Sequence, residues 1–107
     1  MTSMREIKEG VLEQGVEEEI TYTLTVPTTW GTPTGTPTVK GYSYASSVFT
    51  DVTSTIFPAG SASVSSQVIT LPECKSMTEN VRYRIEVKFS TSEGGVCEAF
   101  AWIDCKR

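Results

Sequence analysis

The segment Asn80–Ser90 constrains the fold most, because from Val81 to Phe89 it alternates apolar and charged residues without exception. A period of two residues is typical of a β-strand with one buried face and one solvated face. A second long run, Val96–Lys106, follows a turn that contains Gly94 and Gly95. Glycine can adopt the positive φ that tight connections need. The sequence therefore predicts an antiparallel hairpin near the C-terminus.

The register of this hairpin follows from its two faces. Pairing Phe89 with Cys97 places apolar residues opposite each other along the whole inner face. On the outer face it creates two opposite-charge pairs and one cation–π pair: Lys88–Glu98, Arg82–Asp104 and Arg84–Trp102. Shifts by two residues bring like charges together, for example Arg82 against Lys106. A shift by one residue mixes the two faces.

Shorter strand candidates precede the hairpin. Glu19–Val26 alternates apolar residues with threonines and ends at Pro27, which lacks an N–H. The segment Pro27–Pro37 holds three prolines and two glycines and is predicted to be a loop. The other candidate strands are Thr38–Ala45, Val48–Thr53, Thr55–Phe57 and Gln67–Leu71, with a turn at Pro58–Gly60 and a loop at Ser61–Ser66.

Residues 1–15 are expected to form an N-terminal arm or an edge strand, with a short strand at Arg5–Lys8. Ser3 and Glu6 also match a helix capping box, but Gly10 and Gly15 would interrupt a following helix. About seven short strands, with turn signals every eight to twelve residues or so, indicate a sandwich. We therefore predict one all-β domain over residues 1–107.

The segment from Leu71-Pro72 to Tyr83–Val87 resembles the E–F region of fibronectin type III and other immunoglobulin-like domains. In those domains a tyrosine early in strand F often forms a tyrosine corner, a position that Tyr83 matches. The resemblance implies an immunoglobulin-like antiparallel β-sandwich in which Tyr83 is structural. Antibody domains differ, since the sequence lacks their Cys-Trp-Cys arrangement.

A second resemblance rests on three segments, Ile7–Gly10, Glu18–Thr25 and Tyr83–Phe89. Through these segments the chain, taken whole, resembles small structural proteins of tailed phages and prophages. This resemblance implies an accessory head (decoration) protein or a head–tail or tail component. Such a protein is assembled in the host cytoplasm, resides in the virion, and binds other virion proteins and copies of itself. Residues 1–10 lack the apolar region of a signal peptide, and no membrane span is visible.

Composition argues against several other functions. The chain has 9 basic and 13 acidic residues and no histidine. A general nucleic-acid-binding protein would carry a basic surplus, and histidine is the commonest general base. No nucleophile elbow, phosphate-binding loop or dinucleotide fingerprint is present. We expect no enzyme, no cofactor, no metal site, no nucleic acid and no membrane partner.

The three cysteines and the acidic run Glu17–Glu19 are interpreted as structural. An odd number of cysteines argues against a closed disulfide framework. Cys97 and Cys105 would lie about 26 Å apart on one strand, too far to pair. These two and Cys74 are therefore predicted to be buried thiols. The acidic run is predicted to be a solvated loop, because calcium loops need several ligands at fixed spacing.

The candidate interface consists of Trp30, Arg84, Phe100 and Trp102. The predicted register puts the last three on the outer face, where large aromatic residues need cover from the N-terminal segment or from a partner subunit. Trp30 is either an exposed anchor or folds back onto one end of the sandwich. A second hypothesis is an adhesive or carbohydrate-binding module, in which Trp30, Tyr42 and Tyr44 stack on sugar rings.

Overall fold

Two β-sheets make up most of this computed structural model, which describes residues 4–58 and 61–106 and, for residues 4–11, the backbone only. The strands are β1 (Met4–Gly15), β2 (Thr23–Thr25), β3 (Pro33–Ala45), β4 (Val48–Asp51), β5 (Ser63–Ser65), β6 (Val68–Thr70), β7 (Arg82–Thr91) and β8 (Val96–Lys106). A 3₁₀ turn (Thr28–Trp30) and a one-turn helix, α1 (Thr53–Ile56), complete the described elements. The predicted all-β class is confirmed.

The larger sheet has the order β1-β8-β7-β3-β4, and the smaller sheet has the order β2-β6-β5. β1 runs parallel to β8, whereas the other pairings are antiparallel. In the β7–β8 hairpin Phe89 lies opposite Cys97 and Arg82 lies opposite Asp104. The register predicted from the charges of the two strands is therefore confirmed.

The core lies between the two sheets. It contains the inner face of β7 and β8, the middle of the smaller sheet, and residues from the connections. Tyr83 is buried, and its hydroxyl accepts a hydrogen bond from the backbone N–H of Thr78 at 2.7 Å. Its predicted structural role is confirmed. Cys74, Cys97 and Cys105 are buried free thiols, also as predicted.

The proline-rich segment is more ordered than expected. We predicted a loop over Pro27–Pro37, but a 3₁₀ turn forms there and β3 begins at Pro33. The pairing of β3 with β7 shifts register between Thr34 and Thr38. Pro33 therefore starts the strand and Pro37 lies in the irregularity, which are the positions where a missing N–H is tolerated.

Two other short segments differ from their predictions. Thr55–Phe57 is not a strand, because residues 53–56 form α1. The Asp51 carboxylate starts this turn by accepting hydrogen bonds from the Thr53 N–H (3.0 Å) and hydroxyl (2.7 Å). Ile56 then packs over Gly41, where a Cβ atom would overlap its side chain. The predicted loop Ser61–Ser66 contains strand β5 instead.

The predictions near the N-terminus were right about strand formation and wrong about length. β1 covers Met4–Gly15 rather than Arg5–Lys8. The strand predicted over Glu19–Val26 is shorter, with β2 at Thr23–Thr25 and a single bridge from Ile20 to Cys74. Ser3 of the capping box and Ala59-Gly60 of the predicted turn lie outside the described residues. Within residues 4–58 and 61–106, no helix is long and apolar enough to cross a bilayer.

Candidate interaction surface

The outer face of the larger sheet carries a cluster of large side chains, which we call the outer aromatic cluster: Tyr44, Phe49, Arg84, Phe100 and Trp102. Alternation along β7 and β8 places Arg84 and Trp102 opposite each other on this face. The β3–β4 hairpin adds Tyr44 and Phe49, which are also opposite each other. The local signal for the hairpin is Ser46-Ser47, a two-residue turn with positive φ at both residues.

The rings of the cluster form one continuous contact network. Phe49 lies 4.6 Å from Tyr44 and 6.1 Å from Trp102, centroid to centroid, and is stacked on the latter. Trp102 meets Phe100 edge to face at 6.4 Å and Tyr44 at 5.9 Å. Offset-stacked and edge-to-face pairs in this distance range are the favoured aromatic geometries. The hairpin β3–β4 is thus joined to β8 across the intervening strand β7.

Arg84 lies at the centre of these rings. Its guanidinium carbon is 4.2 Å from the Phe100 centroid, 5.7 Å from that of Trp102 and 5.8 Å from that of Phe49. Its Nε lies 3.0 Å from Glu86 Oε2, an ion pair without hydrogen-bond geometry. Within the described residues no hydrogen bond to the Arg84 side chain is found. A guanidinium held on aromatic faces has donors to offer to a bound carboxylate or carbonyl group.

A second arginine on the same face, Arg82, forms an ion pair within the chain. Arg82 donates to Asp104 through Nε (2.6 Å) and Nη2 (3.0 Å), the bidentate geometry of a strong ion pair. These hydrogen bonds, together with the positive charge, hold the pKa of Asp104 below its usual value. Arg82 also lies 5.9 Å from the Trp102 ring. It therefore fixes the edge of the cluster, whereas Arg84, whose Nε is ion-paired with Glu86, makes no such hydrogen bonds within the described residues.

The cover expected over Phe100 and Trp102 comes partly from the sheet itself. Arg84 and Phe49 lie against these rings, and both aromatic residues are half-buried. Phe49 remains 45% exposed, and Val48 beside it is 59% exposed. The neighbour of β8 on its other side is β1. The structure describes only the backbone of β1 up to residue 11, so any cover from those side chains lies outside the described residues. The exposed part of the cluster is thus its β4 end.

Trp30 does not join the other three candidate interface residues. It is half-buried against the core, and its carbonyl accepts a hydrogen bond from the Cys97 thiol at 3.6 Å. Cys97 pairs with Phe89, five residues from Arg84 along β7, or about 16 Å. Trp30 thus occupies the folded-back position, one of the two alternatives. The sugar-stacking set of Trp30 with Tyr42 and Tyr44 is not assembled.

Phe49 belongs to this surface but was not predicted from the sequence. Its signal was available in the pair Ser46-Ser47 between two short strands, because a two-residue hairpin turn sets Phe49 opposite Tyr44. Serine is not among the residues that mark such turns most strongly, which are Asn-Gly and Asp-Gly. The hairpin was therefore not predicted, and neither was the contact between β4 and β8.

A buried polar group, Gln14, ties β1 to the segments that flank the smaller sheet. Its amide Nε2 donates to the carbonyls of Cys74 (2.8 Å) and Glu18 (2.9 Å), and its Oε1 accepts from the Tyr22 hydroxyl (2.8 Å). Gln14 is 1% exposed, so these bonds satisfy a group that would be costly to bury alone. The arrangement is structural and offers no open ligand position.

The acidic run Glu17–Glu19 is exposed, as predicted for a solvated loop. Glu18 Oε1 accepts a hydrogen bond from the Gly15 N–H at 2.6 Å, and Glu19 lies 4.0 Å from the Lys75 ammonium group. In the described part of the chain, no group of three or more metal-binding side chains could hold an ion. The outer aromatic cluster is therefore the strongest candidate site.

Comparison with known proteins does not assign the chain to a family. No protein-family model matches the sequence, and no curated protein is significantly similar to it.

Proposed function

We propose that this chain is a non-enzymatic structural protein that binds other protein subunits through the outer aromatic cluster. The observation that supports this most is Arg84, which lies within 6 Å of three aromatic rings on the open face of the larger sheet. Aromatic residues and arginine are enriched at the centres of protein interfaces. A partner that fits would offer a carboxylate or carbonyl to Arg84 and an apolar surface to Phe49 and Trp102.

The fold proposed for this subunit is an immunoglobulin-like sandwich. In such domains one sheet has the order C-F-G, extended by C′ in variable-type domains, and the other contains B-E-D. The orders β4-β3-β7-β8 and β2-β6-β5 correspond to C′-C-F-G and B-E-D. The Tyr83 hydroxyl, bonded to the backbone of Thr78, occupies the place of a tyrosine corner. Both observations support the assignment.

The assembly that we propose is the virion of a tailed phage or prophage, with the chain as a decoration, head–tail or tail component. The sequence resemblance supports this context, and small sandwich domains are suited to repeated use on a symmetric particle. We assign no catalytic role, since the sequence has no histidine and no recognised catalytic motif. A fold alone does not define a function, so the test must address the particle itself.

The test is incorporation into particles that carry the wild-type or the Trp102→Asp gene, with occupancy measured by quantitative mass spectrometry. A buried or half-buried charge at the centre of an interface costs several kcal/mol. We therefore expect occupancy to fall by about tenfold or more. Thr38→Asp is the matched control, because Thr38 is exposed on β3 of the same sheet, beyond the cluster.

The outcomes separate the parts of the proposal. Wild-type protein that is missing from purified particles would overturn the virion assignment. Normal occupancy of a Trp102→Asp protein with wild-type thermal stability would overturn the role of the outer aromatic cluster. Loss of occupancy in both Trp102→Asp and Thr38→Asp would show that charge anywhere on the sheet is harmful, and would also contradict the proposed site.

A further inference from the structure

We propose that two copies of this chain pair through β4, in an antiparallel register centred on Thr50. The pairing would join the two larger sheets edge to edge. This inference goes beyond the function proposed above, since it concerns the edge of the sheet and a second copy of the chain rather than the outer face and another virion protein.

The edge formed by β4 is open. β4 is the last strand of its sheet, pairs with β3 alone among the described strands, and has all four residues exposed. Natural edge strands are protected by short length, by charged side chains, above all lysine, by proline or by a bulge. β4 is short and carries Asp51, but it has no lysine, proline or bulge, and it exposes two large apolar residues, Val48 and Phe49. Such an edge is a template for another strand.

The free backbone groups of β4 belong to Phe49 and Asp51. The N–H of Val52 donates to the carbonyl of Gly41 at 2.9 Å, so this pair is hydrogen-bonded. Hydrogen-bonded and non-hydrogen-bonded pairs alternate along an antiparallel ladder. Val48 and Thr50 therefore direct their backbone groups to β3, and Phe49 and Asp51 direct theirs to the open edge.

These groups select one register for two copies related by a two-fold axis. Placing Asp51 opposite Asp51 brings like charges together, which is unfavourable. Placing Phe49 opposite Phe49 forms backbone hydrogen bonds through only one residue of each copy and leaves Asp51 without a strand partner. Placing Phe49 opposite Asp51 satisfies both residues of each copy and forms about four hydrogen bonds. The two-fold axis then passes between the two Thr50 residues.

The side chains fit the same register. Thr50 faces Thr50 of the second copy, a favourable cross-strand pair. Val48 faces Val52, so an exposed apolar side chain gains an apolar neighbour. On the outer face the two Phe49 rings become diagonal neighbours, which lie within reach of aromatic side chains. The two outer aromatic clusters would then form one continuous surface.

The contact is small, which sets the conditions of the test. Pairing of two four-residue strands buries less area than the roughly 1,200 Å² of a standard stable interface. We therefore expect weak association in solution, which the high local concentration of an assembly would strengthen. Measurements should extend to about 1 mM protein, where a dissociation constant of about 1 mM is detectable.

The experiment is sedimentation equilibrium of the full chain with Thr50→Lys, Thr50→Glu and their equimolar mixture. Each variant alone places like charges at the two-fold axis, so we expect dimerisation to weaken by about tenfold or more. The mixture places opposite charges there and should restore a heterodimer. Ser65→Lys and Ser65→Glu, at an exposed position on β5, are the matched controls and should leave dimerisation unchanged.

Amide hydrogen exchange provides a second readout. The N–H groups of Phe49 and Asp51 should become protected as the protein concentration rises, and Thr50→Lys should abolish this protection. A wild-type protein that remains monomeric to about 1 mM, or a dimer that the charge variants do not weaken, would overturn the proposal. Particle incorporation of Trp102→Asp is measured separately, so failure of the edge pairing leaves the proposed function standing, and the reverse.

Discussion

The two faces of the β7–β8 hairpin are built from alternating residues of the same strands and are held by different forces. The inner face is closed, with Ile85, Val87 and Phe89 at most 2% exposed. The outer face is half open and consists of arginines, acidic residues and aromatic rings. Burial of a large apolar side chain contributes about 1.5–3 kcal/mol. Surface ion pairs and exposed cation–π contacts contribute about 1 kcal/mol or less each.

This difference separates stability from binding. The inner face secures the fold, so substitutions there report on unfolding. The outer aromatic cluster contributes little to the fold relative to its area, and its half-exposed rings keep apolar surface that a partner can cover. Because substitutions on this surface cost the fold less, we propose it, rather than the inner face, as the interaction site.

The comparison is most directly tested with two phenylalanines on neighbouring strands. Phe89→Ala removes a ring from the inner face and should lower the free energy of unfolding by about 3–5 kcal/mol, because it leaves a cavity. Phe100→Ala removes a ring from the outer face and should cost about 1 kcal/mol. Urea denaturation followed by tryptophan fluorescence measures both. Equal losses would contradict the division between the two faces.

The next largest effect is expected at Gln14, the buried polar residue of β1. Gln14→Leu keeps the size of the side chain but leaves the Cys74 and Glu18 carbonyls and the Tyr22 hydroxyl without their partner. We expect a loss of about 2–3 kcal/mol. Tyr22→Phe removes one of these bonds and should cost about 1 kcal/mol. A stabilised Gln14→Leu protein would show that the network is dispensable.

The core and the outer face of the hairpin should also respond to opposite ends of the pH scale. Burial raises the pKa of the Cys74 thiol from 9.0 to about 12, and burial likewise raises the pKa of the Tyr22 hydroxyl from 10.0 to about 12. In the unfolded chain these groups lose their protons first. The stability that they provide is therefore complete below pH 9 and is lost as the pH rises toward 12. The loss is at most about 1.4 kcal/mol per pH unit for the buried Cys74 and smaller for the half-buried Tyr22, whose charge is screened by solvent.

Asp104 on the outer face behaves in the opposite way. Its pKa is lowered by the hydrogen bonds and charge of Arg82, so its contribution is present above the usual carboxyl range and is lost as the pH falls through the lowered value. Denaturation curves of the wild type, Cys74→Ala and Asp104→Asn across pH separate the two effects. Cys97→Ala is the control for loss of a buried thiol. If Cys74→Ala lost as much stability as the wild type at alkaline pH, the assignment of that loss to the Cys74 thiol would be wrong.

The sequence was most informative where one pattern was repeated over many residues. The period-two run of β7 and the charges facing it on β8 fixed the hairpin and its register, which the structure confirms with Arg82 opposite Asp104. Arg84, Phe100 and Trp102 were placed together for the same reason. In these strands the apolar residues of the alternating pattern are also the residues buried in the fold, so every residue supports the same prediction.

The sequence was least informative where a few residues depend on distant contacts. Three of the four residues of α1, Thr53, Thr55 and Ile56, favour strands, yet the Asp51 hydrogen bonds and the packing of Ile56 over Gly41 produce a helical turn. Trp30 was ambiguous because its environment is supplied by the core and β8, about 65 residues further along the chain. Short segments carry too few residues for periodicity to decide.

The smallest effect is expected at the Ser46-Ser47 turn. It tests whether the β3–β4 hairpin belongs with the outer aromatic cluster rather than with the core. Both residues have positive φ, 51° and 64°, which is unfavourable for serine. The double variant Ser46→Asn, Ser47→Gly supplies the preferred type I′ residues and should raise the free energy of unfolding by about 0.5–1 kcal/mol.

Because all four residues of β4 are exposed, the gain should appear mainly as slower exchange of the Val48 and Thr50 amides. Amides of β7 that lie opposite β8 should slow only in proportion to the global gain. A larger and uniform slowing would mean that the hairpin folds as one unit with the core, and that the two faces are coupled more strongly than their contacts indicate.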